Sequence, residues 1–196
     1  MFNILTLFLS YLIGSISFAL VLGKIFYKTD VRGYGSGNLG ATNTFRVLGL
    51  KAGLVVAISD LLKGTIACLL PQMLNSTVNP IICGLIAICG HVFPIFAGFK
   101  GGKAVATSTG VLLFLTPLGT LNGFIVFVLT LVLTKYVSLS SMLAGIAIFI
   151  YSLIFEDKVI IALSLFISIL VIILHRQNIK RIISGTENKI GKKKGK

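Results

Sequence analysis

Three short segments hold most of the side chains capable of chemistry. The first, GYGSGNLGATNTFRVLG, spans residues 33–49 and contains five glycines. Glycine admits positive φ and close approach, so successive N–H groups can converge on an anion. Ser36, Asn38, Thr42 and Asn43 add neutral hydrogen-bonding groups, and Arg46 adds a planar fork matched to phosphate or carboxylate. The plain alternative is a flexible loop, or small residues that let helices pack closely. Amides, hydroxyls and an arginine concentrated in so short a span favour an anion site.

The second segment, HVFPIFAGFKGGKAVAT, covers residues 91–107. Gly101, Gly102 and Lys103 lead directly into an apolar run, which places a lysine and unbonded N–H groups at a helix start, where the dipole favours an anion. A tight turn with two snorkelling lysines, Lys100 and Lys103, explains the same residues. The spacing does not match a Walker A loop.

The third segment, HRQNIKRIISGTENK, begins at His175. His175, Asn178 and Arg181 follow at i, i+3 and i+6 and share a face if a helix continues through them. The alternative is a basic amphipathic end lying on a bilayer. Glu187, the one acid there, suits a local partner for the basic residues.

The remaining acids are Asp30, Asp60, Glu156 and Asp157, and no two pair in the manner of a magnesium motif. A metal-dependent phosphotransferase needs clustered carboxylates. Metal-free, cofactor-free chemistry on a phosphorylated ligand is therefore expected. Cys68, Cys83 and Cys89 lie in apolar runs without ligand spacing and are expected to pack rather than to bridge or bind zinc. Asp60 and Lys63, in ISDLLKG, fall inside a candidate span; a structural ion pair and a functional role are both open there.

The elements that must carry these segments are membrane helices. The chain has 196 residues, 56% hydrophobic and 12% charged, with a mean hydropathy of +1.01. Too few charges remain to cover a soluble domain, so one all-α, polytopic membrane domain is expected. Apolar runs occur at about 2–23, 52–71, 79–97, 104–117, 119–134, 139–155 and 158–174, giving about seven spans. A span needs roughly 20 residues, which makes the fourth and fifth short: two thin spans, or a re-entrant hairpin turning at TPLG, residues 116–119. The first run has its basic residues, Lys24 and Lys28, behind it, as in a retained helix whose start faces outwards.

Charge placement sets the sidedness. With the N-terminus outside and seven crossings, 16 of the 18 basic residues fall on the cytoplasmic side, leaving Lys158 outside and Lys63 in a span. The C-terminus is then cytoplasmic, and all three polar segments face the cytoplasm. The basic stretch at 189–196 reads as a disordered tail attracted to anionic lipid. A phosphate-bearing ligand at that face is the leading reading. A transporter of phosphorylated solutes competes with it, but transporters show repeats and polar groups near the midplane, and the outer connections here are bare. A membrane scaffold explains the basic tail but not the glycine and amide segments.

GSGNLGATNTFRVLG, GHVFPIFAGFKGGKAVAT and HRQNIKRIISGTENKIG resemble, in order, the three motifs of the bacterial acyl-phosphate:glycerol-3-phosphate acyltransferases, the PlsY family. The likeness runs through nearly the whole chain, including SDLLKG and the seven-span layout. Ala104 departs from it, standing where many members carry glycine; a methyl is expected to be tolerable if the residue is helical. The resemblance implies transfer of a fatty acyl group from acyl phosphate to the 1-hydroxyl of sn-glycerol 3-phosphate. The products are lysophosphatidic acid and inorganic phosphate, formed in the first acylation step of phospholipid synthesis at the cytoplasmic face of the bacterial inner membrane. It implies these two substrates and membrane lipid as partners, no nucleic acid, and supply by a soluble acyl-phosphate-forming enzyme. Arg46 and Lys103 are then the expected charge clamps. Asn38, Thr42 and Asn43 are expected to bind substrate, as are Gly101 and Gly102 in a second anion nest, with Ser141 lining the pocket. His175 and Asn178 position glycerol phosphate. His175 is a candidate general base, with a substrate phosphate as the competing proton acceptor, and Ser36 a less favoured nucleophile.

Overall fold

The computed structural model describes residues 2–191, which form helices and short 3₁₀ turns with no strand. The helices pack as two compact units, one ending at Leu115 and the other beginning at Thr116.

In the first unit, the apolar run at 2–23 is not one helix. It divides into α1 (Phe2–Ser15) and α2 (Phe18–Phe26), bent by 51°. Ser17 is extended and caps α2, its Oγ accepting from Leu20 N–H at 3.4 Å. A 3₁₀ turn at Val31–Gly33 leads through the glycine-rich loop to α3 (Ala41–Leu48) and then α4 (Leu50–Met73). Gly49, at φ 93°, ends one and starts the other, a conformation that favours glycine. α5 (Pro80–Val92) is capped by Asn79, and after a 3₁₀ turn at Ile95–Ala97 comes α6 (Val105–Leu115).

α4 packs against α1, α2, α3, α5 and α6. Small residues make the α4–α6 crossing close: a Cβ at Gly64 would strike Thr107 O, and one at Gly110 would strike Leu61 O. Thr65 Oγ1 donates across the same crossing to Gly110 O at 2.9 Å. Beneath the glycine-rich loop lies an apolar cluster of Ala19, Leu20, Val31, Leu39, Val56 and Ala97.

The second unit contains α7 (Pro117–Thr134), α8 (Val137–Phe155), α9 (Lys158–Leu174) and α10 (Arg176–Ile183). Asp157 caps α9 through bonds from Val159 and Ile160 N–H. α9 and α10 meet at 59°, and α10 packs back on α8 and α9.

Among the described residues, four helices are long and apolar enough to cross a membrane, or up to six if each bent pair is one span. α6, with 11 residues, reaches about 17 Å at 1.5 Å per residue, little more than half of a hydrocarbon core. α7 departs from expectation. Pro117 stands at the first position of the helix, so α7 begins earlier than the apolar run and, at 18 residues, is long enough to span. Of the two runs read as short, only the fourth is. Cys68 and Cys83 are buried as expected, whereas Cys89 is exposed on the outside of the unit. Within the basic stretch, Ile190 N–H bonds to Lys135 O at 2.9 Å and Lys189 lies over the Tyr136 ring, so Lys189 and Ile190 are held; residues 192–196 lie outside the described residues.

Candidate functional site

The glycine-rich loop is built around Asn43. Its Oδ1 accepts from Ser36 N–H at 2.8 Å, and its amide donates to Val31 O at 3.0 Å and Tyr34 O at 3.2 Å. The side chain is 2% exposed. Asn43, expected as a ligand donor, thus braces the loop from inside, and the Ser36 N–H is part of that brace. Gly35 and Gly37 take positive φ on either side of Ser36, turning the Ser36 side chain outwards. Asn38 and Thr42 are half-buried, and Arg46 is exposed in the last turn of α3. Beside this loop, Asp30 holds Arg32 at 2.7 Å, and the bond from the guanidinium keeps the Asp30 carboxyl well below the usual carboxylate range.

The second segment corrects two expectations. Gly101 N–H donates to Val92 O and Gly102 N–H to His91 O, each at 3.1 Å. These N–H groups are used to fold the turn back on the end of α5, so the two glycines do not form an anion nest. Their lack of side chains matters instead: a Cβ at Gly101 would strike His91 O, and one at Gly102 would strike the His91 ring at Nε2. Ala104 is not in a right-handed helical conformation but left-handed, at φ 55°, where glycine is the unstrained residue. Its carbonyl accepts from Ser108 N–H and so begins α6. Lys103 stands half-buried between the buried Gly102 and Ala104.

The first two segments meet. A Cβ at Gly102 would lie 3.0 Å from Leu39 O, so the GGK turn rests against the backbone of the glycine-rich loop within the first unit. Below the contact is a buried group. Asp60 and Lys63 form an ion pair at 2.9 Å, and Lys63 Nζ donates to Ile16 O, at the break between α1 and α2, at 2.9 Å. His91 Nδ1 lies 3.8 Å from the same Asp60 oxygen. The sequence shows the Asp60–Lys63 spacing; the part played by His91 was missed, although a lone histidine in an apolar run near two intramembrane charges is a usable signal.

In the second unit, His175 ends α9, buried, with Nδ1 bonded to Val171 O at 2.8 Å. A carbonyl only accepts, so Nδ1 carries the proton and, in the neutral ring, Nε2 is the basic nitrogen. Glu187 accepts from Asn178 Nδ2 at 2.6 Å, Ser138 Oγ at 2.8 Å and Arg181 Nε at 2.7 Å. It joins α8, α10 and the following turn, which bears out its reading as a local partner and extends it. Ser140 and Ser141 are buried at the start of α8 and donate to the carbonyls of Tyr136 and Val137.

Burial raises the Glu187 pKa, but the bonds from Arg181, Asn178 and Ser138 together outweigh it and hold the carboxyl below its ordinary 4.5. A depressed folded value stabilises fully above the unfolded pKa and is lost as pH falls through the folded one. The melting temperature of wild type in detergent should therefore fall more steeply as the pH drops below about 5 than that of Glu187→Gln. Parallel slopes would show that Glu187 has no part in the acid sensitivity.

The chain is similar to known proteins over nearly its whole length. The glycerol-3-phosphate acyltransferase family model matches residues 4–185. Glycerol-3-phosphate acyltransferase 2 of Bacillus anthracis is 78% identical over 188 residues, covering 96% of this chain and 99% of that protein. Glycerol-3-phosphate acyltransferase of Bacillus subtilis (strain 168) is 54% identical over 186 residues, covering 95% of this chain and 96% of its own. The fold matches the crystal structure of PlsY (YgiH), an integral membrane glycerol 3-phosphate acyltransferase, in its glycerol 3-phosphate form. That match has a TM-score of 0.88 and 36% identity and covers 96% of both chains. The lysophosphatidic acid form of PlsY matches with a TM-score of 0.84 and 36% identity, covering 96% of this chain and 95% of that one.

Proposed function

The chain belongs to the glycerol-3-phosphate acyltransferase family and is a multi-pass membrane protein; from that premise we propose that it transfers a fatty acyl group from acyl phosphate to the 1-hydroxyl of glycerol 3-phosphate. The products are lysophosphatidic acid and inorganic phosphate. The observation that carries the reading is the meeting of the two glycine-rich segments at Leu39 and Gly102, on a chain whose structural relatives are described in a glycerol 3-phosphate form and a lysophosphatidic acid form.

An acyl phosphate is a mixed anhydride whose carbonyl is already activated. The enzyme has to neutralise phosphates and aim a hydroxyl, without forming a covalent intermediate of its own. Arg46 and Lys103 are the charge clamps. Ser36, Asn38 and Thr42 offer neutral groups, while Asn43, Gly101 and Gly102 hold the two backbones in place. His175 and Asn178 orient glycerol phosphate, and Ser141 contributes its hydroxyl oxygen. The hydroxyl proton leaves for His175 Nε2 or for a substrate phosphate as the new ester C–O bond forms and the C–O bond to phosphate breaks. The charge pattern of the sequence, with 16 of 18 basic residues in connections assigned to one side, supports a reaction at the cytoplasmic face of the bacterial inner membrane, where a soluble acyl-phosphate-forming enzyme would supply the donor.

The test is phosphate release from palmitoyl phosphate by purified protein in EDTA, with and without glycerol 3-phosphate. Release that requires glycerol 3-phosphate, with lysophosphatidic acid formed in step, is expected. Rescue by magnesium of an otherwise inactive sample would overturn the metal-free mechanism. Efflux of solute from proteoliposomes without product formation would favour a transporter. For the proton, His175→Gln is expected to abolish the acidic limb of the kcat/KM–pH profile. A limb of unchanged shape would transfer the role to a substrate phosphate.

A further inference from the structure

Asp60, Lys63 and His91 are each almost fully buried, and the mechanism proposed above gives none of them a role. Stability alone is a poor account of them. A buried ion pair is commonly replaced by apolar side chains at little or no cost to stability, and charge inside a membrane protein is expensive. What apolar side chains could not do is bond to backbone, and this group sits where two irregular stretches of backbone meet.

The first is the break between α1 and α2. Leu20 and Val21 N–H bond to Ser17 O, so no next-turn N–H reaches Ile16 O, and Lys63 Nζ takes that place from α4. The second is the GGK turn. Its Gly101 and Gly102 N–H groups bond to the last carbonyls of α5, and Gly102 lies against His91 Nε2 so closely that a Cβ would not fit. Asp60 connects the two, its Oδ1 holding Lys63 at 2.9 Å and facing His91 Nδ1 at 3.8 Å. A narrow crevice lined by Ser15, Ile16, Leu39, Lys63, His91 and Gly102 marks the junction.

We infer that Asp60, Lys63 and His91 are positioning residues for the acyl-transfer reaction: Asp60 orients the His91 ring, the ring seats Gly102, and Gly102 fixes Lys103 against the glycine-rich loop, while Lys63 ties the same carboxylate to the break at Ile16. This rests on the proposed role of Lys103. The three residues touch no substrate and act through the turn.

A double-mutant cycle tests it. His91→Ala, Lys103→Ala and the double variant are compared by kcat/KM for lysophosphatidic acid formation, using an acyl donor that wild type accepts, with melting temperatures alongside. If His91 acts through Lys103, His91→Ala should cost at least about tenfold in wild type but less than about threefold in the Lys103→Ala background. An equal loss in both backgrounds would mean general structural damage and would overturn the inference. If His91→Ala does not fold, the joint replacement Asp60→Leu/Lys63→Leu, which removes both charges together, takes its place in the cycle. Wild-type activity in that pair would equally overturn the inference. The two readings fail differently. A costless Lys103→Ala removes the clamp and the positioning role with it. A costly Lys103→Ala in an additive cycle removes the positioning role alone.

Discussion

Alanine at Arg46 or Lys103 is expected to lower kcat/KM by tenfold or more, with Lys103 the more sensitive position. A hydrogen bond to a charged group contributes about 1.5–3 kcal/mol, which at about 1.4 kcal/mol per decade corresponds to roughly 10- to 150-fold. Arg46 is exposed in the last turn of α3, where solvent screens its charge, so the lower end applies. Lys103 is half-buried between the buried Gly102 and Ala104, with fewer waters to replace its bond to phosphate, so the upper end applies. Clamps that hold phosphate alike in substrate and transition state act mainly through KM; those that tighten as charge moves to the leaving phosphate act through kcat. Lys194→Ala, in the basic stretch that follows the third segment, is the control and should change little. Equal activity in all three variants would remove Arg46 and Lys103 from the site.

The parts of the site that were legible in sequence were those marked by residue type. Glycine, amide and hydroxyl residues standing in an otherwise apolar chain identified the loop at 33–49 and the GGK turn, and Glu187 stood out as the one acid among basic residues. What the sequence did not reveal was how backbone groups are spent. Nothing in the letters distinguishes a glycine N–H offered to an anion from one bonded to His91 O or Val92 O, nor an asparagine facing a ligand from Asn43, which faces its own loop. The break at Ser15–Ser17 was hidden for a related reason. Its stabilising partner, Lys63, lies 47 residues beyond Ile16, and the small polar residues at the break, Ser15 and Ser17, carry no charge to set them apart from the run around them. Pro117 was misjudged in the opposite direction, since the same residue that ends one helix is tolerated at the first position of the next.

Gly102→Ala should be among the most damaging single methyl additions in the first unit for activity, and the cause is spatial rather than conformational. Gly102 is not at positive φ, unlike Gly98 at φ 67°, so its backbone accepts alanine readily. The new Cβ, however, would strike His91 Nε2 and crowd Leu39 O at 3.0 Å. The ring cannot simply swing away, because it is buried beside Asp60. Overpacking of this kind costs about 1–3 kcal/mol, which a folded helical unit can survive. The kinetic cost is larger, since the relief available is movement of the turn, and a displacement of about 1 Å in a positioning element can cost on the order of 100-fold. Gly98→Ala makes the opposite case. It has open space around its Cβ but a left-handed backbone, so it should lose about 1 kcal/mol of stability with little change in turnover. Kinetics and melting curves of the two variants separate these causes. A Gly102→Ala protein with wild-type kcat/KM would show that the turn need not rest against His91 and Leu39 for Lys103 to work.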